Sequence, residues 1–155
     1  MISSVILPPA VYADHNPEYE VSYRASERKL ANLSIMKSTL LDVIKAYGSS
    51  TDDTNDEYTW EKDGWTLSCL IDSSDSKVIS IDVQGKKIPR NIGITGSGLK
   101  VGDDLRAVRR IYGPTYHRGK SYVSFEWRDG VTLDIDLNEE GKIMRFFLSA
   151  VEAAE

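Results

Sequence analysis

The chain has 155 residues, 41% hydrophobic and 28% charged, with a net charge of −5. That balance suits one globular domain or two small lobes sharing a core, and it offers no basic stripe of the kind that holds nucleic acid. No apolar run approaches the roughly 20 residues a membrane helix needs, and the lone cysteine, Cys69, excludes an internal disulfide.

Residues 1–17 read as a leader. Met1–Ala13 is apolar and rich in small residues, and Val11-Tyr-Ala13 fits the small-x-small pattern that precedes a signal cleavage site. The positive start of a signal peptide is missing, because the first basic residue is Arg24. Two readings stand: the remnant of a signal peptide, or an extended leader that pairs with a sheet. Export to the periplasm or the medium is the expectation, with a cytoplasmic location as the alternative.

A first α+β unit spans 18–84. Glu18–Arg28 alternates weakly and reads as a strand or an extended approach, and Arg24–Leu33 also has the look of a short helix. Ser38 and Thr39 stand where N-caps belong. Leu40, Val43, Ile44 and Tyr47 follow at helical spacing, and Gly48 ends the helix. Ser49–Asp56 is polar and reads as a loop. Three strands follow: Glu57–Lys62, then an Asp63-Gly64 hairpin turn, Trp65–Ile71 and Lys77–Val83. Tyr58, Trp60, Trp65, Leu67, Cys69, Ile71, Ile79, Ile81 and Val83 are expected to face inward. Cys69 is then a buried thiol.

Residues 85–98 connect to a second unit, 99–150, that repeats the first. Met36–Gly48 aligns without a gap on Val101–Gly113, 65 positions later, with Leu40 on Leu105, Val43 on Val108, Tyr47 on Tyr112 and Gly48 on Gly113. Asp103 and Asp104 replace the capping pair, and their charge also suits the positive end of the helix dipole. Leu105, Val108, Ile111 and Tyr112 form the apolar face, and Pro114 bars continuation of the helix. Tyr116–Lys120 reads as a loop. The strands are Tyr122–Trp127, Val131–Leu137 and Lys142–Leu148, with Val123, Phe125, Trp127, Val131, Leu133, Ile135, Leu137, Met144, Phe146 and Leu148 inward, and with Trp127 matching Trp60 as a core anchor. Residues 151–155 read as a tail. The predicted fold is α+β: a tandem duplication of one helix plus a three-stranded antiparallel meander, with the helices on one face of the sheet. Each unit alone buries little, so the two should pack together or share a sheet.

Gly93-Ile-Thr-Gly-Ser-Gly-Leu-Lys-Val-Gly-Asp-Asp-Leu105, followed by Ile111-Tyr-Gly-Pro114, resembles the opening motif of the β-lactamase-inhibitor-protein-like and SmpA/OmlA-like domains. The first copy carries Lys37 and Ser49 at the positions of Gly102 and Pro114. The resemblance covers about Leu33–Leu148. It implies a small bacterial extracytoplasmic module, with helices packed on one face of an antiparallel sheet, that binds a protein or serves an envelope complex.

Chemistry-bearing patterns are sparse. His15 and His117 are the two imidazoles, and His117 is expected on an exposed loop. No G-x-S-x-G elbow is present. Gly93–Gly98 precedes a helix but lacks the Gly-Lys-Ser/Thr ending of a phosphate loop. Asp134-Ile-Asp-Leu-Asn138 opens like a calcium loop, yet Glu139 and Arg145 stand where Gly and Glu are required. A looser cation site from Glu126, Asp134 and Asp136 is weighed against a solvated acidic face, and the latter is preferred. No catalytic set, metal or cofactor is assigned.

The function predicted is a non-enzymatic protein-binding module using the polar sheet face. Strand alternation places Tyr122, Glu126, Thr132, Asp134, Asp136, Arg145 and Phe147 there in the second copy. The first copy offers Thr59, Glu61, Thr66, Ser68, Ser80 and Asp82, with no aromatic. Exposed aromatics beside an arginine anchor protein interfaces, so Tyr122, Glu126, Asp134, Asp136, Arg145 and Phe147 are the predicted contact residues, with a protein as partner. The alternative is a small hydrolase-type enzyme with a site between the repeats, using His117 with an acid.

Overall fold

Alternating apolar residues must bury one side of each strand, and here every such side is buried against the same core. The computed structural model describes residues 25–114 and 116–151. The expected leader, the approach over 18–24 and residues 152–155 of the tail lie outside the described residues. A short hairpin opens the described chain, β1 (Lys29–Leu30) and β2 (Leu33–Ser34). The helical reading of Arg24–Leu33 is thereby corrected. Ala31 and Asn32 both take positive φ, at 55° and 63°, which turns the chain back on itself in two residues.

Helix α1 is Leu40–Tyr47 and helix α2 is Leu105–Tyr112. Thr39 caps α1 in a reciprocal pair: its hydroxyl accepts from the Asp42 amide, and Asp42 accepts from the Thr39 amide. Asp104 caps α2 by accepting from the Arg106 and Ala107 amides. Gly48 and Gly113 end the helices at φ 88° and 93°, a region side chains avoid, each returning its N–H to the last turn. Asp104→Ala should lower the thermal unfolding midpoint, because two first-turn amides lose their acceptor. An unchanged midpoint would show the cap to be idle.

Between and after the helices run β3 (Asp52–Thr54), β4 (Glu57–Lys62), β5 (Trp65–Ile71), β6 (Val78–Gly85), β7 (His117–Arg118), β8 (Tyr122–Glu126), β9 (Thr132–Leu137) and β10 (Ile143–Ser149). They form one eight-stranded antiparallel sheet in the order β3-β4-β5-β6-β10-β9-β8-β7. The fold is thus α+β, mostly strand, with two helices among the described residues. The meander β4-β5-β6 meets the meander β8-β9-β10 edge to edge, through β6 and β10. Strands β3 and β7 correct the loops expected over Ser49–Asp56 and Tyr116–Lys120. These short edges pair through backbone alone, and their sequences carry no apolar alternation that would announce them.

Cross-strand partners share a face, so the register reads out the core in rows. Trp60, Leu67, Val83, Phe146, Ile135 and Val123 form one row, and Tyr58, Cys69, Ile81, Leu148, Leu133 and Phe125 the next. Val43 of α1 and Ala107, Val108 and Tyr112 of α2 join the same cluster. Cys69 is fully buried, and burial, with the Asp82 charge adding, pushes its thiol up to about 12. Trp127 lies past the end of β8 and is half-buried, stacked on Phe125.

Two inward assignments are corrected by β-bulges. Leu70 pairs with Ser80 but Ile71 with Val78, so Ile79 is skipped and Val78 takes the buried place. Asp136 pairs with Arg145 but Leu137 with Ile143, so Met144 is skipped and turns out, 38% exposed, while Ile143 is buried. An extra residue in one strand shifts the alternation by one. Ile44 also departs from its expected place and is exposed on α1.

Candidate functional site

The face opposite the core is built by the other half of each alternation. One row reads Glu61, Thr66, Gln84, Arg145, Asp136 and Tyr122 across six strands. Its neighbour reads Asp52, Thr59, Ser68, Asp82, Phe147, Asp134, Ser124 and His117. A third runs Glu57, Leu70, Ser80, Ser149, Thr132 and Glu126. All six predicted contact residues lie on this face.

Arg145 is its centre. The guanidinium gives two hydrogen bonds to Asp82, Nε to Oδ1 at 2.9 Å and Nη2 to Oδ2 at 2.7 Å, and a third to Asp136 at 3.3 Å. Its carbon stands 5.7 Å from the Phe147 ring centre, in cation–π contact. The hydrogen bonds it gives to Asp82, then the charges of both carboxylates, hold Arg145 charged and above its ordinary pKa, against the pull of partial burial. Tyr122 is directly across from Asp136 and is 45% exposed. Its ring lies against Gly119, where any added Cβ would collide with it. The structure thus brings Tyr122, Asp136, Arg145 and Phe147 together and adds Asp82, which the contact set lacked. Asp82 could not be foreseen there, because the pairing of β6 with β10 joins residues over 60 positions apart.

Asp134 and Glu126 stand to one side. Asp134 accepts a 2.6 Å hydrogen bond from Ser124, and Glu126 is exposed opposite Thr132. Asp136 is engaged with Arg145. Among the described residues, no three His, Cys, Asp or Glu side chains gather into a group that could hold a metal ion.

His117 is corrected from an exposed loop to the edge strand β7, half-buried, with Nε2 buried and without a hydrogen-bond partner among the described residues. It is across from Ser124, which is across from Asp134. The three residue types of a nucleophilic triad thus share a row, but in the order His-Ser-Asp. Ser124 gives its proton to Asp134, whereas base activation needs the histidine to accept it.

A concavity of about 570 Å³ opens at one end of the Arg145 row, between Glu61, Lys62, Trp65, Lys86, Met144 and Arg145. No helix among the described residues is long and apolar enough to cross a membrane.

No family model matches the chain, and no curated protein matches it. Among solved structures, it resembles a cysteine-rich secretory protein from Staphylococcus aureus with a TM-score of 0.56 and 10% identity, over 81% of this chain. The match spans 47% of that longer chain. It also matches a DUF4309 family protein, YjgB, from Bacillus subtilis, with a TM-score of 0.47 and 16% identity, over 76% of this chain and 81% of that one. The staphylococcal match is a likeness of fold alone.

Proposed function

We propose that the chain is a non-enzymatic protein-binding module whose partner docks on the open face of the sheet. The observation that carries the reading is the contiguous Tyr122, Asp136, Arg145 and Phe147 cluster in the middle of a face that neither helix covers. Aromatic rings beside an arginine supply large contact area with little loss of side-chain freedom. Around them the face is acidic. Asp52, Glu57, Glu61, Asp82, Glu126, Asp134 and Asp136 stand on it, and Arg145 is the single Lys or Arg among the residues paired in its three rows. Arg145 bonds to Asp82 and Asp136 but cancels only one of their two charges, and the net negative charge of the face draws a basic partner.

The test is substitution against a captured partner. Tyr122→Ala and Phe147→Ala should each weaken binding by more than about 1 kcal/mol, as read by calorimetry. Arg145→Ala is a less clean probe, because it leaves Asp82 and Asp136 without their cation. Retention of affinity within about 1 kcal/mol by both aromatic variants removes the face as the site.

We also infer that the two halves arose by tandem duplication. The bulged residues, Ile79 and Met144, are 65 apart, which is the spacing of the aligned helices. Where the meanders join, Asp82 pairs with Phe147, again 65 apart, flanked by Ile81 with Leu148 and Val83 with Phe146. Leu30 bridges Thr95 at the same spacing. A residue paired with its own counterpart marks a two-fold axis, as in a symmetric dimer. Cross-strand amide contacts measured by NMR that lacked either bulge would remove this support.

The resemblance to the β-lactamase-inhibitor-protein-like and SmpA/OmlA-like domains, with an extracytoplasmic location, belongs to the same proposal. It is supported by the Gly93–Leu105 motif and by Val11-Tyr-Ala13. Recovery of the native protein in the cytoplasmic fraction would count against export.

A further inference from the structure

A second hollow, of about 510 Å³, lies where β6 leaves the sheet and β10 enters it. That size suits a small organic molecule. Its charge is opposite to that of the open face. Lys86, Arg90 and Lys142 line it and no carboxylate does, in a chain whose net charge is −5. Lys86 and Lys142 form no ion pair and no side-chain hydrogen bond among the described residues. Arg90 gives Nη2 to Asp103 at 2.9 Å, which fixes the guanidinium and leaves its other donors. Asn138 also lines the hollow. Its Oδ1 is taken by the Glu140 and Lys142 amides, so its NH₂ group remains as a donor.

The remaining wall is apolar. Ile88 and Val101 meet closely because residue 93 is glycine: a Cβ there would fall 2.6 Å from Val101 and 2.8 Å from Ile88. Ile143 is buried beside them, and the β10 bulge swings Met144 out onto the rim. Bulges recur where a strand re-aims a side chain at a site. Cations of one sign around an apolar concavity concentrate field lines on whatever enters it.

We propose that this hollow binds a small organic anion with an apolar body. The acidic head (sulfonate, phosphate or carboxylate) sits among Lys86, Arg90 and Lys142, and the body packs on Ile88, Val101 and Met144. The site is distinct from the docking face and does not depend on it, although the two concavities meet at Gly85, Lys86 and Met144.

The probe is 8-anilinonaphthalene-1-sulfonate, which joins a sulfonate to an apolar aromatic body. Fluorescence titration of the full chain should show saturable binding at one site. Lys86→Glu with Lys142→Glu should weaken it by at least about tenfold. Met144→Glu should also weaken it, through the apolar wall. A control with the same charge change elsewhere, Lys37→Glu with Lys120→Glu, should bind within about twofold of the wild type. Thermal midpoints matching the wild type establish that each variant is folded. Inorganic phosphate should compete poorly and decanoate well, because phosphate supplies a head without a body. The proposal is overturned if the wild type shows no saturable binding. It is equally overturned if the Lys86/Lys142 variant binds like the wild type, if the control pair loses as much, or if phosphate competes as well as decanoate.

Discussion

Trp60→Ala should destabilise the protein by roughly 3–5 kcal/mol, read from the urea midpoint. The indole is 1% exposed and heads a core row that crosses six strands. Its truncation opens a cavity between α1 and the sheet, because the neighbouring side chains cannot all move in to fill it. It also removes a hydrogen bond, since Nε1–H donates to the Gly48 carbonyl at 2.8 Å and so ties the end of α1 to β4. That carbonyl would be left without its indole donor. Trp127→Ala is expected to cost less. Its ring is half-buried and rests on Phe125 at 5.7 Å between centres, with Tyr112 at 6.2 Å. Equal losses at the two sites would contradict the difference in burial.

Glu27→Gln should cost about 2–3 kcal/mol at neutral pH, and the loss should shrink in acid. Glu27 is a buried carboxylate, 5% exposed, with no salt-bridge partner among the described residues. It is held by donors instead: the Tyr112 hydroxyl and the Ser97 amide on Oε1, and the Arg28 and Lys29 amides on Oε2. Burial pushes its pKa up. The hydrogen bonds, led by that from Tyr112, outweigh burial and hold it below the ordinary value of 4.5. Because the folded value is the lower one, the charged form stabilises the fold at every pH above the unfolded value. That contribution drains away as the pH falls through the folded value. Urea melts at pH 7 and in progressively stronger acid should therefore show wild type and variant converging. A gap that stays constant would mean that Glu27 acts through packing and not through its charge. Tyr112→Phe removes the strongest donor and should raise the pH at which the wild-type contribution disappears. Tyr112 itself stays protonated, since burial and the Glu27 charge both push its pKa up.

Local signals carried most of the fold. The caps at Thr39 and Asp104, the ends at Gly48 and Gly113, and the turn at Asp63-Gly64 follow from the φ and the backbone partners that each residue type offers, so they are legible without neighbours. Period-two alternation fixed which side of β4, β5, β8 and β9 is buried. The same alternation, followed along β10 past its bulge, puts Tyr122, Glu126, Asp134, Asp136, Arg145 and Phe147 on the open face. Tertiary structure alone decided what alternation cannot encode. The bulges at Ile79 and Met144 exchange a buried residue for its neighbour, because pairing with the adjacent strand, and not composition, sets where the ladder slips. The edges β3 and β7 exist through backbone hydrogen bonds to which their side chains give no clue. Arg145 meets Asp82 because β6 pairs with β10, and the cations of the hollow converge from the 85–98 connection, which carries Lys86 and Arg90, and from the turn before β10, which carries Lys142. The sequence by itself determined the two helices, the six long strands and the wet face, since those rest on interactions a few residues long. Which charges meet, and where a cavity remains, was settled by long-range pairing, whose energy depends on strands that only the folded chain brings side by side.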